Sequence, residues 1–267
     1  MTAMAFRRAF STLGCPALTL EQTLALAQAH GCDGVELRIL AGNLDLPAYL
    51  QDTYGTPEAL AGKLRDEPVA MVSLDTSLRL VDHKPQDREA FLAFVPWAEA
   101  LGAPHLRVFD GGRKADAEEM DQAGATLHWW HELRAARGWK VDMAIETHDS
   151  LFTAEKIEQF LKLCPDAKIL WDSHHTWRQG GEDPVITWRR IGRHVPHIHV
   201  KDSVSRPAGK MSYAYVPPGQ GEFPAGPLFE ILRREFSGVV SLEWERHWHP
   251  ALAPLEVALH AAKKNGW

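Results

Sequence analysis

The stretch Val195–Asp202, reading VPHIHVKD, constrains this chain more than any other. Val195, Ile198 and Val200 suit a buried strand, yet the same run carries His197, His199 and Lys201. Side chains alternate across a strand, so the three polar residues share one face and aliphatic residues take the other. A strand buried on both sides normally reads apolar throughout. Three ionisable groups on one buried face therefore need partners.

Candidate partners recur at regular spacing. The run KILWDSHH closes on Asp172, VDMAIETHD places Glu146 and His148 on one face, and GVVSLEWE does the same for Glu243 and Glu245. From Glu146 to Asp172 is 26 residues and from Asp172 to His199 is 27, about one strand-plus-helix unit each. From His199 to Glu243 is 44, a unit with a long loop inserted. Four successive strands thus each deliver one metal-competent side chain near their C-terminal ends.

A chain of 267 residues slightly exceeds the roughly 250 typical of a (β/α)8 barrel. Apolar content of 45% and charged content of 24% are ordinary for a soluble globular protein. The formal charge of −6 argues against a nucleic-acid footprint, which is normally basic. No run approaches a membrane span, and MTAMAFRRAFSTLG lacks the apolar core of a signal peptide. The three cysteines, Cys15, Cys32 and Cys164, have no CxxC spacing and suit reduced thiols in the cytoplasm. Cys15 follows the first strand, where it reads as a small buried hydrophobe or a site-lining thiol.

Along the chain, Phe6–Thr12 reads as a first strand and TLEQTLALAQAHG as a helix capped by Thr19, with Gln22 in the capping-box position. CDGVELRI, VAMVSLDTS and PHLRVFDGG read as strands two to four. TPEALAGKLRDE is a helix opened by Thr56-Pro57, and DREAFLAFVPWAEALGA is a helix that Pro96 should kink or divide. A long helix over Asp116–Arg137 leads to strand five, Lys140–Glu146. The pattern continues through AKILWD, VPHIHVKD and GVVSLEWE to a last helix within Leu255–Lys264. Eight alternations favour an α/β fold, a single-domain (β/α)8 TIM barrel over residues 1–267. An open doubly wound sheet is the alternative, but no GxGxxG follows the first strand.

Near the strand ends the face opposite the aliphatic one carries Glu36, Arg38, Asp75, Arg107, Glu146, His148, Asp172, His199, Lys201, Glu243 and Glu245. In a barrel these ends meet at the C-terminal mouth, where active sites form.

With GVELR, ETH, DSHH, HIHVKD, PGQGE and SLEWE in this order, the chain resembles the xylose-isomerase-like barrel superfamily. Sugar (phosphate) isomerases and epimerases, inosose dehydratase, 3-dehydroshikimate dehydratase and endonuclease IV belong to it. The resemblance implies one divalent cation held by Glu146, Asp172, His199 and Glu243, with His197 behind the ligands. It implies substrate contacts from His175 and places His148 and Lys201 at the substrate. Arg107 resembles an arginine of the dehydroshikimate dehydratase branch. Arg38 and Glu36 are further substrate-binding candidates, although Glu36 could instead pair with Arg38 or Arg107.

Three carboxylates and one imidazole favour Mn²⁺, with Mg²⁺, Co²⁺ or Zn²⁺ as alternatives. Chelation of two adjacent substrate oxygens would polarise a carbonyl and acidify the neighbouring C–H. Glu146 and Glu243 are then candidate base and acid, and Lys201 and His148 candidate proton donors. A lysine beside a dication is expected to have a depressed pKa. The expected activity is a metal-dependent isomerase or epimerase on a sugar or sugar derivative, with a lyase of the inosose or 3-dehydroshikimate dehydratase type as the alternative. The expected partner is a small sugar or cyclitol, with no nucleic acid and no membrane, and a homo-oligomer is allowed. An endonuclease would need further His ligands that VSLDTS and LRVFDGG do not supply.

Competing readings attach to several residues. Glu245 competes with Glu243, and His174 with His175. His247 and His249 look like ligands but suit the loop after strand eight. PPGQGEF and FDGGR contain turn glycines rather than a P-loop. Trp171 should face the helices, while Trp177 and Trp248 could wall a sugar. The loop Ser203–Phe223 is expected to cover the mouth, offering Arg206 or Lys210 to an anionic substrate group.

Overall fold

Strand and helix alternate through the computed structural model, which describes residues 6–209 and 211–266. The first part runs β1 (Arg7–Ser11), α1 (Leu20–His30), β2 (Gly34–Leu37), α2 (Leu46–Tyr54), α3 (Pro57–Lys63) and β3 (Ala70–Arg79). Next come α4 (Pro85–Leu92), α5 (Val95–Leu101), β4 (His105–Phe109), α6 (Ala117–Arg137), β5 (Asp142–Glu146) and α7 (Ala154–Leu163). Then follow β6 (Lys168–Asp172), α8 (Ser173–Arg178), α9 (Pro184–Ile191), β7 (His197–Val200), β8 (Asp202–Val204) and β9 (Ala214–Val216). The chain closes with α10 (Ala225–Glu235), β10 (Val239–Leu242) and α11 (Leu255–Lys264).

Eight of the strands pair in parallel and close into a barrel in the order β1-β10-β7-β6-β5-β4-β3-β2. The expected (β/α)8 architecture is therefore present. The other two, β8 and β9, form an antiparallel hairpin outside the barrel.

Local chemistry explains the element boundaries. Thr19 accepts from the Gln22 amide while the Gln22 side chain accepts from the Thr19 amide, and Gly31 ends α1 at φ 66. Pro96 divides the expected long helix into α4 and α5 and sits within the first turn of α5, where its missing N–H removes no helical bond. Two short helices, α2 and α8, lie where the sequence reading placed none.

The main core fills the layer between strands and helices, with Trp130, Trp171 and Phe160 buried there. Trp171 faces the helices as expected, stacking on Trp188 and donating its indole N–H to Thr176 Oγ1. Ala9, Val72 and Val239 form a separate small apolar group. Gly34 is required beside it, because a Cβ there would stand 2.4 Å from Val72 Cγ1. Further along the same strand faces come Ser11, Glu36, Ser73, Asp75, His199 and Ser241, all buried. The barrel interior is thus mostly small and apolar at its N-terminal end, with His197 level with Val239, and polar towards the mouth.

Candidate active site and metal centre

Neighbouring strands bring the four expected ligands to one level. Asp172 ends β6 directly opposite His199 of β7, Glu146 ends β5, and Glu243 lies one residue beyond β10. One ligand atom from each of Glu146, Asp172, His199 and Glu243 falls within 4.8 Å of all the others. His199 Nδ1 is 3.4 Å from Glu146 Oε1 and 3.3 Å from Glu243 Oε2.

The donor set fits a divalent cation on an observation independent of any relative. Glu146 Oε2, Asp172 Oδ2, His199 Nδ1 and Glu243 Oε2 are buried and have no hydrogen-bond partner. Native proteins rarely leave such atoms unsatisfied, and here each ligand contributes one. Asp172 Oδ2 and Glu243 Oε2 do make ion-pair contacts with Lys201, and Glu146 Oε2 with Arg107, but not in hydrogen-bond geometry. Burial pushes the Glu146 carboxyl up and Glu243 adds to this, yet the charges of Arg107 and His199 hold it down at about 2. Glu243 is likewise pushed up by burial, but Lys201 and His199 hold it well below its ordinary value. A cluster that stays anionic when buried suits a dication.

Glu36 departs from its expected place at the substrate. Its side chain is fully buried beneath the cluster, where Oε2 lies 2.8 Å from His199 Nε2 and 3.1 Å from His197 Nε2. It pairs with neither Arg38 nor Arg107. With Nε2 held by Glu36, His199 turns Nδ1 towards the other carboxylates, where its lone pair would be available to a bound cation. His197 stands behind this pair, with Nε2 2.6 Å from Ser241 Oγ.

Lys201 follows β7 immediately, and its ammonium reaches the ligands themselves. Nζ lies 2.8 Å from Asp172 Oδ2, 2.5 Å from Glu243 Oε2 and 2.7 Å from Glu245 Oε1. The depressed pKa expected of this lysine is tied to a bound dication, and the carboxylates alone act the other way. Burial does pull the pKa down, but Asp172, Glu243 and Glu245 outweigh it and raise it well above its ordinary value. The long side chain folds back, which the Cα spacing does not reveal. Glu245 therefore grips the lysine, while Glu243 belongs to the four-residue cluster.

His175, rather than His174, faces this cluster. Its Nε2 is 3.4 Å from Lys201 Nζ, its Nδ1 is 3.0 Å from the Thr147 carbonyl, and its amide donates to Asp172 Oδ1. Asp172 is the N-cap of α8, which is what swings His175 inward. The His148 ring packs edge-on to His175 at 5.1 Å. Burial lowers the His148 pKa, but Asp149 and Glu146 outweigh it and bring it up to about 9.

Arg107 is buried, with Nε 3.2 Å from Glu146 Oε2 and Nη2 3.6 Å from Asp75 Oδ2. Arg38 is almost as buried and donates from Nη2 to Ser77 Oγ. Both stand beside the cluster, Arg107 holding one of its carboxylates. Cys15 is buried by Thr23 with its thiol pKa raised to about 12, chiefly by burial, so it is a packing residue.

Two aspartates that the sequence reading did not single out build the loops. Asp110, in FDGGR, accepts from the backbone N–H groups of His148, Asp149, Ser150 and Leu151, and so fixes the loop that carries His148. Asp202 accepts from those of Gly219, Gly221, Phe223 and Ser203, folding PGQGE into a turn around itself. Between these ends Ser203–Phe223 holds the hairpin β8–β9, not a structureless loop. Tyr215 of β9 donates its hydroxyl to Glu245 Oε1 at 2.8 Å. His174 bonds Ser203 Oγ through Nε2 and packs among Trp177, Tyr213, Tyr215 and Phe223, anchoring the hairpin. Arg206 is exposed, and Lys210 lies outside the described residues. His249 touches Glu245 Oε2 at 3.7 Å, and His247 and His249 join no metal-competent group among the described residues. Trp248 is half exposed. No helix among the described residues is long and apolar enough to cross a membrane.

The model of the xylose isomerase-like TIM barrel family matches residues 24–264. Inosose dehydratase of Clostridium botulinum is 24% identical to this chain, aligning 90% of it with 87% of the relative. Inosose dehydratase of Clostridium perfringens is 25% identical over 92% of this chain and 88% of its own. Among solved structures, the probable 3-DHS dehydratase AsbF involved in petrobactin synthesis from Bacillus anthracis superposes with a TM-score of 0.78 at 19% identity. It covers 97% of this chain and 99% of its own. The IOLI protein with a bound zinc atom superposes with a TM-score of 0.73 at 20% identity, covering 97% of this chain and 96% of its own. At these identities the superpositions show a shared fold.

Proposed function

The chain belongs to the xylose isomerase-like TIM barrel family, and from that premise we propose that it is a divalent-metal-dependent dehydratase acting on a small polyhydroxylated ring ketone. The observation that carries this reading is the cluster of Glu146, Asp172, His199 and Glu243 with Lys201 pressed against two of its carboxylates. Such a site joins a cation position to a fixed proton donor. Relatives named inosose dehydratase, aligned over most of their length, support the lyase alternative over the isomerase or epimerase expected first. A keto-cyclitol of the inosose kind is the favoured substrate, with a dehydroshikimate-type keto acid beside it.

A divalent cation held by those four residues would supply Lewis acidity, polarising a ketone oxygen and acidifying the adjacent C–H. Glu146 and Glu243, from strands separated by β6 and β7, are the candidate bases for that proton. Lys201 and His148 flank His175 and hold protons at neutral pH, so either serves as the acid for a β-hydroxyl. In the net step a C–H and a C–O bond break, a C=C forms and one water leaves. His175, Arg107 and Arg38 surround the position where the ring would sit. Mn²⁺ is the favoured ion from the oxygen-rich donor set, with Mg²⁺, Co²⁺ and Zn²⁺ as alternatives.

The test is incubation of the purified protein with an inosose and with 3-dehydroshikimate, each with added Mn²⁺, Co²⁺, Zn²⁺ or Mg²⁺. Growth of the ultraviolet absorbance of a conjugated product is the expected result. Solvent deuterium entering the substrate without loss of water would return the assignment to an isomerase. Neither signal with any ion, in protein shown to bind the ion, would remove the dehydratase reading.

A further inference from the structure

A cavity of about 660 Å³ lies at the opposite end of the barrel from the four-ligand cluster and opens where Arg7 begins β1 and Gly238 precedes β10. Active sites of this architecture use the other face, so the cavity is separate from the chemistry described above.

Its charge is distinctive. Arg7, Arg189 and Arg193 line it, opposed by one carboxylate, Glu235. Among the described residues Arg7 and Arg189 make no side-chain hydrogen bond or ion pair, and Arg193 donates only to His194 Nε2. A shortage of acids does not explain this, since the chain has 35 Asp and Glu against 29 Lys and Arg. Other outer arginines do find carboxylates, as Arg190 does with Glu158 and Arg234 with Glu230.

The floor is fixed, although the pocket is open to solvent. Trp188 and Phe236 meet edge to face at 5.3 Å, and both are buried. Gly192 lies so close under the indole that a Cβ would stand 2.9 Å from Trp188 Cε2. At Gly238 a Cβ would stand 2.3 Å from the Pro196 carbonyl oxygen. The pocket therefore has a fixed apolar floor and three exposed, uncompensated guanidinium groups along its lining, whose planar donor forks match tetrahedral oxyanions.

We infer that this cavity is a binding site for a small phosphate monoester, held by Arg7, Arg189 and Arg193 away from the catalytic mouth. Calorimetric titration of the metal-loaded protein with inorganic phosphate, at ionic strength held constant with chloride, tests it. One saturable site is expected. The double variant Arg189→Ala/Arg193→Ala should weaken binding at least about tenfold, the loss expected on removing charge-assisted hydrogen bonds. Glu235→Gln should tighten it, and turnover without phosphate should be unchanged in both variants. Absence of saturable binding would overturn the proposal. So would phosphate binding that survives in a folded double variant, or that responds to His199→Ala but not to Glu235→Gln, which would put the anion at the mouth.

Discussion

Glu36 Oε2 lies 2.8 Å from Nε2 of His199, while Nδ1 of the same ring faces Glu146 and Glu243. One carboxylate beneath the barrel mouth therefore selects the nitrogen that His199 offers upward. Replacing Glu36 with Gln keeps the shape but removes the charge that holds the Nε2–H. Metal affinity should fall about 10–100-fold, as is usual when such a partner is lost. Turnover at saturating metal should change much less. Competitive titration with a chelator measures the first quantity, and unchanged affinity would contradict the role given to Glu36.

Lys201→Met tests proton donation separately from metal holding. The variant should bind the cation at least as well, because an ammonium no longer contends for Asp172 and Glu243. It should lose roughly 10²–10⁴ in kcat, the range for removing a general acid. Normal turnover by fully metallated Lys201→Met would leave the lysine only a charge-balancing part.

Replacement of residues 205–213 by a short turn should leave the cation site intact, since no member of the four-residue cluster lies in that span. It should raise KM or lower kcat, because the hairpin carries Tyr215 to Glu245 and Glu245 grips Lys201. Tyr215→Phe, which removes that contact and a longer one to the Tyr213 hydroxyl, should show a smaller change of the same sign. Steady-state kinetics with metal saturation checked by elemental analysis would decide it.

Acid stability should report on His105. Burial, helped by the charge of His197, lowers its pKa from 6.5 to about 4. The unfolded chain therefore binds a proton more readily than the folded one. This residue's contribution is fully present above pH 6.5 and is lost as pH falls from 6.5 through about 4. The loss should be on the order of 1–3 kcal/mol, since one pKa unit is about 1.4 kcal/mol. His105→Gln should flatten that part of the curve when urea midpoints are compared at pH 7 and pH 4.5.

The barrel and the spacing of the candidate ligands were legible in the sequence because both rest on short-range periods, whereas choosing His199 over His197 and Glu243 over Glu245 rested on the family resemblance. Alternation put His199 on the inward face, and the 26- and 27-residue intervals put Glu146, Asp172 and His199 on successive strands. Pro96 was legible as a helix break for an equally local reason. Glu36 was not, since its partner lies 163 residues away and is chosen by barrel closure. The lysine's reach was missed because Cα spacing says nothing of where a four-carbon side chain bends. The one available signal for α8 was Asp172 three residues before His175, an N-cap spacing whose two residues read only as a metal ligand and a substrate contact.

Asp202 gathers four backbone N–H groups within one residue of Lys201. Both ends of the hairpin segment are thus moored to the same carboxylate, and the described residues between them join none of the barrel's strand pairings. Insertions, deletions and side-chain changes can accumulate from 205 to 213 without altering where the lysine emerges. Divergence in substrate choice within such a barrel is therefore free to proceed through those changes in the segment that keep Tyr215 on Glu245.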